Sequence, residues 1–250
     1  MRMLVPMVVL MAAAWPLPVC CGADAVAPGD AKAAESLAQS KAQVHLDPHG
    51  KIQAVEMSDP KLTDADLTPL AGLTALESLE IGGGQIGDAG LANLKAATSL
   101  VHLYLHDLDI TDAGVKNLAG LTSLEALGLQ NTKITGKGLA QLKALTSLEV
   151  LNLGRTEIGD DDLAQIEGLT ELETLSLEGT KVTGAGLAHL KGLARLRTLN
   201  VKRCDIADDD LAQLQGLKNL RMLYVRGCKV TKPYADSLKK KMPGLAVFFY

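Results

Sequence analysis

Leucines return along the chain at a fixed interval. Leu76, Leu100, Leu124, Leu148, Leu172, Leu196 and Leu220 lie 24 residues apart without a slip. Each opens the pattern L-x-x-L-x-L, as in Leu148, Leu151 and Leu153, followed by Thr156, Ile158, Leu163, Ile166 and Leu169. The earlier run Ile52, Val55, Met57, Leu62, Leu67, Leu70 and Leu73 fits the same frame, giving about eight units over residues 51–241. A period this long marks a repeated supersecondary unit rather than one long element. Within each unit, the L-x-L end alternates apolar and polar positions, which predicts a short strand with one buried face. The second half, as in Thr111-Asp-Ala-Gly-Val115-Lys-Asn-Leu118, spaces apolar residues by three behind a Thr-Asp start. That predicts a short helix with a Thr cap and an acid in its first turn.

Neither half can bury its leucines alone, but stacked units can. Each buried Leu contributes about 1.5–3 kcal/mol, so several per unit offset the ordering of the chain. The expected fold class is α/β, a solenoid: a curved right-handed stack with a parallel β-sheet on its concave face and short helices on its convex face.

The flanks depart from the frame. Arg2 precedes an apolar run from Leu4 to Trp15 that Pro6, Pro16 and Pro18 interrupt. It is too short to span a bilayer, which takes roughly 20 residues. Ala23-Asp24-Ala25 fits an A-x-A cleavage pattern, so residues 1–25 are expected to be a signal peptide, with a cut after Ala23 as the alternative. A lipoprotein signal ending at Cys20 or Cys21 is the weaker rival, because Val19 stands where Gly, Ala or Ser usually precedes the lipidated Cys. Export to the periplasm, the cell envelope or the exterior follows. Residues 26–43 are Ala-rich with little apolar stripe and are expected to form a tether or loose cap. Residues 44–50 are expected to form a capping strand and Gly turn. Residues 242–250 follow as a closing strand after the turn at Pro243-Gly244.

Composition reports the repeat. The 250 residues are 47% hydrophobic yet only 3% aromatic, because thin, equal rungs favour one medium-sized side chain over rings. This apolar mass excludes disorder, and four Cys exclude a disulfide scaffold. A net charge of −4 without a Lys/Arg block leaves no expected nucleic-acid partner.

Apparent chemical motifs dissolve into the frame. Gly82-Gly-Gly84-Gln-Ile-Gly87 matches a dinucleotide turn, but it lies in frame with Gly154-Arg-Thr-Glu-Ile-Gly159, and a solenoid has no doubly wound crevice. Asp160-Asp-Asp162 and Asp208-Asp-Asp210 lie 48 residues apart and read as helix-start acids rather than a calcium site. Cys204 and Cys228 share a slot with Thr132, Thr156 and Thr180; parallel side chains on neighbouring rungs favour free thiols over a bridge. His102 and His106, four apart on a strand, are separated by about 13 Å, too far to share a metal. No nucleophile–base constellation is present. Neither catalysis nor a metal or cofactor is expected.

The run Ile134-Thr-Gly-Lys-Gly-Leu139-Ala-Gln-Leu142-Lys-Ala-Leu145-Thr-Ser-Leu148 resembles leucine-rich repeats, close to the ribonuclease-inhibitor-like and cysteine-containing classes. In detail it is similar to the 24-residue repeats of exported planctomycete-type bacterial proteins. The resemblance covers about residues 51–250 and is specific for fold. It implies a module that binds a protein or peptide. Some eukaryotic relatives are ubiquitin-ligase substrate receptors, a role not carried over to a chain with an export signal and no room for an F-box.

The outward strand positions supply the candidate binding residues: Glu80, His102, Tyr104, His106, Gln130, Asn152, Arg155, Glu178, Lys202, Arg203, Tyr224 and Arg226. Acids gather at the front with Glu77 and Asp59, and bases at the back with Arg195, Arg197 and Arg221. The expected function is an exported protein-binding module, monomeric and without a membrane span. The alternatives are a structural cell-envelope spacer and a carbohydrate-binding repeat, for which Tyr104 and Tyr224 are the candidate platforms.

Overall fold

The computed structural model describes residues 26–250; the expected signal peptide lies outside the described residues. Ten strands form one sheet in chain order: β1 Gln43–Leu46, β2 Ile52–Met57, β3 Ser78–Gly82, β4 His102–His106, β5 Ala126–Gly128, β6 Val150–Asn152, β7 Thr174–Ser176, β8 Thr198–Asn200, β9 Met222–Tyr224 and β10 Ala246–Phe248. β1 runs antiparallel to β2, and every later pair is parallel. Register is constant: Leu79, Leu103, Leu127, Leu151, Leu175, Leu199 and Leu223 face one another in turn. The repeat of 24 therefore lays each side chain over its own counterpart, and the leucine columns close into one continuous core.

The second half of most rungs is tighter than an α-helix, Gly136–Gln141 and the final Lys232–Lys241 being α-helical. Asp161–Ile166, Ala185–Gly192 and Asp209–Gly216 are 3-10 helices, and the single α-turns Asp88–Leu91 and Asp112–Val115 pass directly into 3-10 turns. The sequence explains this choice. Apolar residues recur every third position, as at Leu163, Ile166 and Leu169, and three residues per turn puts them all on one face. The Thr caps form at Thr111 and Thr135, whose hydroxyls accept from the N–H groups of Ala113 and Lys137.

The acids at the helix starts hold neighbouring rungs together. Eight rungs each present one backbone N–H at the residue before the helical turn, and each of these meets one carboxylate. Four are Thr111, Thr135, Thr183 and Thr231, whose N–H and hydroxyl groups donate to Asp88, Asp112, Asp160 and Asp208 of the preceding rung at 2.6–2.8 Å. Gly87 N–H likewise donates to Asp64 at 2.8 Å. The other three, Thr63, Gly159 and Ala207, donate to Asp66, Asp162 and Asp210 of their own rung. The two sources exclude each other sterically. Where Asp64, Asp88, Asp112 and Asp160 reach forward, the facing residue is Gly90, Gly114, Gly138 or Gly186, and a Cβ there would strike the carboxylate; opposite Asp208, at the last junction, stands Tyr234. Where Asp162 or Asp210 serves the N–H of its own rung, the residue facing it from the preceding rung is Gly136 or Gly184, whose Cβ would fall inside that carboxylate; Asp66, in the first rung, is met by Ser40 of the front cap. Each junction thus holds one acid, delivered from one side or the other.

A second ladder runs beneath the turn after each strand. Thr132, Thr156 and Thr180 donate their hydroxyls to the carbonyls of Leu129, Leu153 and Leu177 at 2.6–2.8 Å. Cys204 and Cys228 continue the column as free thiols that donate to Leu177 and Val201 carbonyls one rung back, both at 3.0 Å. Burial raises both thiol pKa values, that of Cys228 to about 11, so neither is a reactive thiolate at neutral pH.

Both ends are covered. Residues 26–43, expected as a tether or loose cap, include a helix over Ala31–Gln39 that seats Leu37, fully buried, on the first rung. Around it, Ser40 Oγ donates to Asp66 at 2.5 Å, Ile52 N–H donates to Asp30 at 2.8 Å, and Ala27 N–H donates to the Gly50 carbonyl. One apolar side chain suffices because polar contacts complete the dock. At the other end, the helix Lys232–Lys241 buries Ala235 and Leu238, and β10 follows it as the last strand.

Candidate functional site

The strand side presents three rows of side chains that run along the stack, one position per rung. The first row passes through Ser78, His102, Ala126, Val150, Thr174, Thr198 and Met222, and the second through Glu56, Glu80, Tyr104, Gly128, Asn152, Ser176, Asn200 and Tyr224. The third begins at Gly82 and His106 and continues in the 24-residue frame through Gln130, Gly154, Glu178, Lys202 and Arg226. Strands about 4.8 Å apart shade small residues between longer neighbours. Ala126, Gly128, Ser176, Thr198 and Asn200 are therefore buried although they point away from the core.

Near the front, the rows converge on His106. Its ring lies over Gly82 of the preceding rung, where a Cβ would occupy the same space. Nε2 stands 3.5 Å from Glu80 Oε1, and Nδ1 stands 3.0 Å from Asp107 Oδ2. Asn131 Nδ2 donates to the other Asp107 oxygen at 2.6 Å. Tyr104 leans over Gly128 in the same way, and burial beside Glu80 raises its phenol pKa. The Glu80 carboxylate first, then Asp107, pushes the His106 pKa from its ordinary 6.5 up to about 9. Both carboxylates are held below their usual range by the imidazolium.

This cluster predicts a measurable pH dependence. The His106 contribution to stability is complete below pH 6.5 and is lost as pH rises through about 9. The contribution of Glu80 and Asp107 is present above the ordinary carboxylate range and is lost as pH falls through their lowered values. An NMR titration of the His106 ring is expected to show a midpoint near 9, moving back towards the ordinary value in Glu80→Gln. A wild-type midpoint at the ordinary value would remove the ion-pair assignment. On a ring and carboxylates this accessible to solvent, the network adds only about 1 kcal/mol.

The turn that leaves each strand is left-handed. Gly83, Asp107, Asn131, Arg155, Gly179, Arg203 and Gly227 all have positive φ, between 52° and 78°. The N–H groups of all but Gly227 donate across to the next rung, as from Arg155 to the Glu178 carbonyl and from Arg203 to the Arg226 carbonyl. Asp and Asn tolerate this geometry, whereas a long side chain at such a position is uncommon. The Arg155 and Arg203 side chains lie along Gly179 and Gly227 of the following rungs, which offer them an open bed.

The back half of the strand side is basic. Lys133, Lys181, Lys229, Arg195 and Arg197 each pair with an acid one rung earlier, namely Asp109, Glu157, Asp205, Glu171 and Glu173. Arg155, Lys202, Arg203 and Arg226 have no carboxylate within 4 Å among the described residues. The Lys202 ammonium instead sits 5.0 Å above the Tyr224 ring. Glu178 accepts from Asn200, and Asn152 donates to Gln130.

The candidate residues therefore divide. Glu80, Tyr104 and His106 form one cluster, and Arg155, Lys202, Arg203 and Arg226 form a second, with Gln130, Asn152 and Glu178 between them. His102 stands half-buried in the first row, without a polar partner among the described residues. Tyr224 differs from the exposed platform expected of it: its ring stacks on Phe248 at 4.7 Å and keeps only 8% of its surface. Asp107 and Asn131 are not among the residues that sequence reasoning nominates. Their signal is the occupancy of the turn slot, where Gly, Asp and Asn hold five of the seven positions. Among the described residues, no group of three or more His, Cys, Asp or Glu is placed to hold a metal, and no helix is long and apolar enough to cross a membrane.

Comparison with known proteins bears on this architecture. No curated protein matches the chain significantly in sequence. An internalin C2 from Listeria monocytogenes is 27% identical over 80% of this chain and 81% of its own, with a TM-score of 0.65. An internalin (inlF) from the same organism is 27% identical over 73% of this chain, with a TM-score of 0.60; the match spans half the length of that protein. The plant peptide hormone receptor RGFR1, solved in complex with RGF2, shares the fold at 15% identity and a TM-score of 0.53, over 82% of this chain and 36% of its own. The family description "Leucine Rich repeat" matches residues 72–95 and 144–166, two segments that fall on the 24-residue frame. With the in-register parallel sheet, these matches identify the chain as a leucine-rich-repeat protein.

Proposed function

We propose that the protein is an exported binding module whose strand side recognises a protein or peptide through the basic surface around Lys202, Arg203 and Arg226. The observation that carries this reading is a cluster of strand-side cations left without a carboxylate. Lys202 and Arg226 in the third row and Arg155 and Arg203 in the adjoining turn row have none within 4 Å among the described residues, whereas Lys133, Lys181 and Lys229, two positions beyond the turn row, each meet an acid one rung back. An acidic partner would complete the charge pairing. The front of the same face carries the exposed Glu56 and, paired with His106, Glu80, so the two ends of the face differ in charge. Such patterning fixes orientation and speeds encounter more than it adds affinity. The carbohydrate reading loses one of its two aromatic platforms to the Tyr224–Phe248 stack.

The test is charge reversal. Lys202→Glu, Arg203→Glu and Arg226→Glu together are expected to abolish capture of the partner from native envelope extract while leaving the thermal midpoint unchanged. Equal capture by the triple variant would refute the surface assignment. Failure of the unaltered protein to enrich any specific partner would favour a structural spacer.

A further inference from the structure

We infer that the left-handed turn row carrying Arg155 and Arg203 is a reader of extended acidic peptide, in which carboxylates recur at every third residue. The inference rests on the protein-binding reading and gives its partner a chemistry. Three observations converge on these two arginines. Both occupy positive-φ positions that other rungs fill with Gly, Asp or Asn, so each is held in a conformation its side chain disfavours. Both run past a glycine of the next rung, with Cγ beside Gly179 or Gly227, and both are exposed to solvent. Neither has a carboxylate within ion-pair distance, although acid-to-base pairing across one rung is common on this side.

Spacing supplies the register. Arg155 and Arg203 are two rungs apart, which is about 9.6 Å at the sheet repeat of about 4.8 Å. A polyproline II chain has three residues per turn and rises about 3.1 Å per residue, so every third side chain returns to one face after about 9.3 Å. A guanidinium can accept a carboxylate in a planar, two-point contact, and a pair of them at this interval fixes both the position and the direction of such a chain. The intervening rung reinforces the choice. It places Gly179 in the turn row and Glu178 beside it, so an acid presented there would face a like charge. Lys202 and Arg226 flank Arg203 and extend the positive field at the end of the stack.

The probe is a fluorescein-labelled peptide of Glu-Pro-Pro repeats, measured by anisotropy against the mature protein at low and physiological salt. The comparators carry the same number of Glu in Glu-Pro repeats, or Gln in place of Glu. Binding is expected to be about tenfold tighter for the three-residue spacing than for the two-residue spacing, and absent for the Gln peptide. Arg155→Gly and Arg203→Gly are the decisive variants, because glycine is the residue the same turn accepts elsewhere. Each is expected to weaken the Glu-Pro-Pro peptide about tenfold while the thermal midpoint stays level or rises. Equal binding of the two spacings, or full binding by both glycine variants, would overturn the inference. Tighter binding of a sulfated polysaccharide than of the peptide would overturn the assignment to a protein partner. If the peptide fails while the charge-reversed triple variant still loses its partner, the strand-side reading survives without this one; if both fail, neither stands.

Discussion

Gly136→Asp is expected to destabilise the protein by about 3 kcal/mol, and adding Asp162→Gly is expected to restore most of the loss. The single variant puts two carboxylates at one junction. The new Cβ falls where the Asp162 carboxylate now sits, and Asp162 is bound to the Gly159 N–H at 2.9 Å. Two ionised acids in one slot repel, and one must protonate or move into the neighbouring rung. The double variant rebuilds an arrangement the chain already uses. Asp64 reaches forward to Gly87 N–H, with Gly90 opposite. Exchanging the acid and the glycine between positions 136 and 162 recreates that relation around the Gly159 N–H. Urea unfolding of the two single variants and the double variant checks this directly. Additive losses in the double variant would show that the acid and the facing glycine are not alternatives.

Leu37→Asp is the second large effect, expected at about 3–5 kcal/mol. Leu37 is the one fully buried side chain of the front helix, so a carboxylate there must either stay in an apolar seat or undock the helix. Undocking bares the first rung and releases the Ile52 N–H from Asp30. Because each rung touches mainly its neighbours, the damage should be local. Hydrogen exchange is expected to accelerate in β2 and β3 and to remain unchanged in β7, β8 and β9. Uniform acceleration along the sheet would contradict nearest-neighbour stability and make the cap a control on the whole stack.

The sequence made most of the fold legible because one period carried it. A residue that repeats every 24 positions must lie over itself if the strands stack in register, and the Leu79-to-Leu223 column does so. What escaped was whatever joins rungs at an offset. Asp160-Asp-Asp162 was legible as a helix-start cluster, but its division of labour was not: Asp160 reaches Thr183 and Asp162 holds its own Gly159. That relation appears only when position n is compared with the N–H at n + 23 and the facing glycine at n + 26. The docking of the front helix was not legible because one leucine in a run of alanines carries almost no periodic signal, whereas the polar contacts of Asp30 and Ser40 need the fold to exist first. At the candidate site, residue type and face were legible, but solvent access was not. Tyr224 is hidden by Phe248, a residue from the strand beyond the last full repeat. The left-handed turn that exposes Arg155 and Arg203 is a backbone property that arginine itself does not announce.

The one-acid junction also limits how such a chain can change length. In the front half, Asp64, Asp88 and Asp112 all reach forward to a rung that offers glycine, so a single unit can be lost or duplicated there and every seam still receives its acid. From Gly136 onward, the arrangement alternates with Gly184 two units later. Excising one 24-residue unit there would leave either two acids or none at the splice, whereas excising two would reproduce an existing seam. The back half, which carries both turn-row arginines 48 residues apart, can therefore grow or shrink only in steps of that same length. Any such change would add or remove arginine positions without altering their spacing.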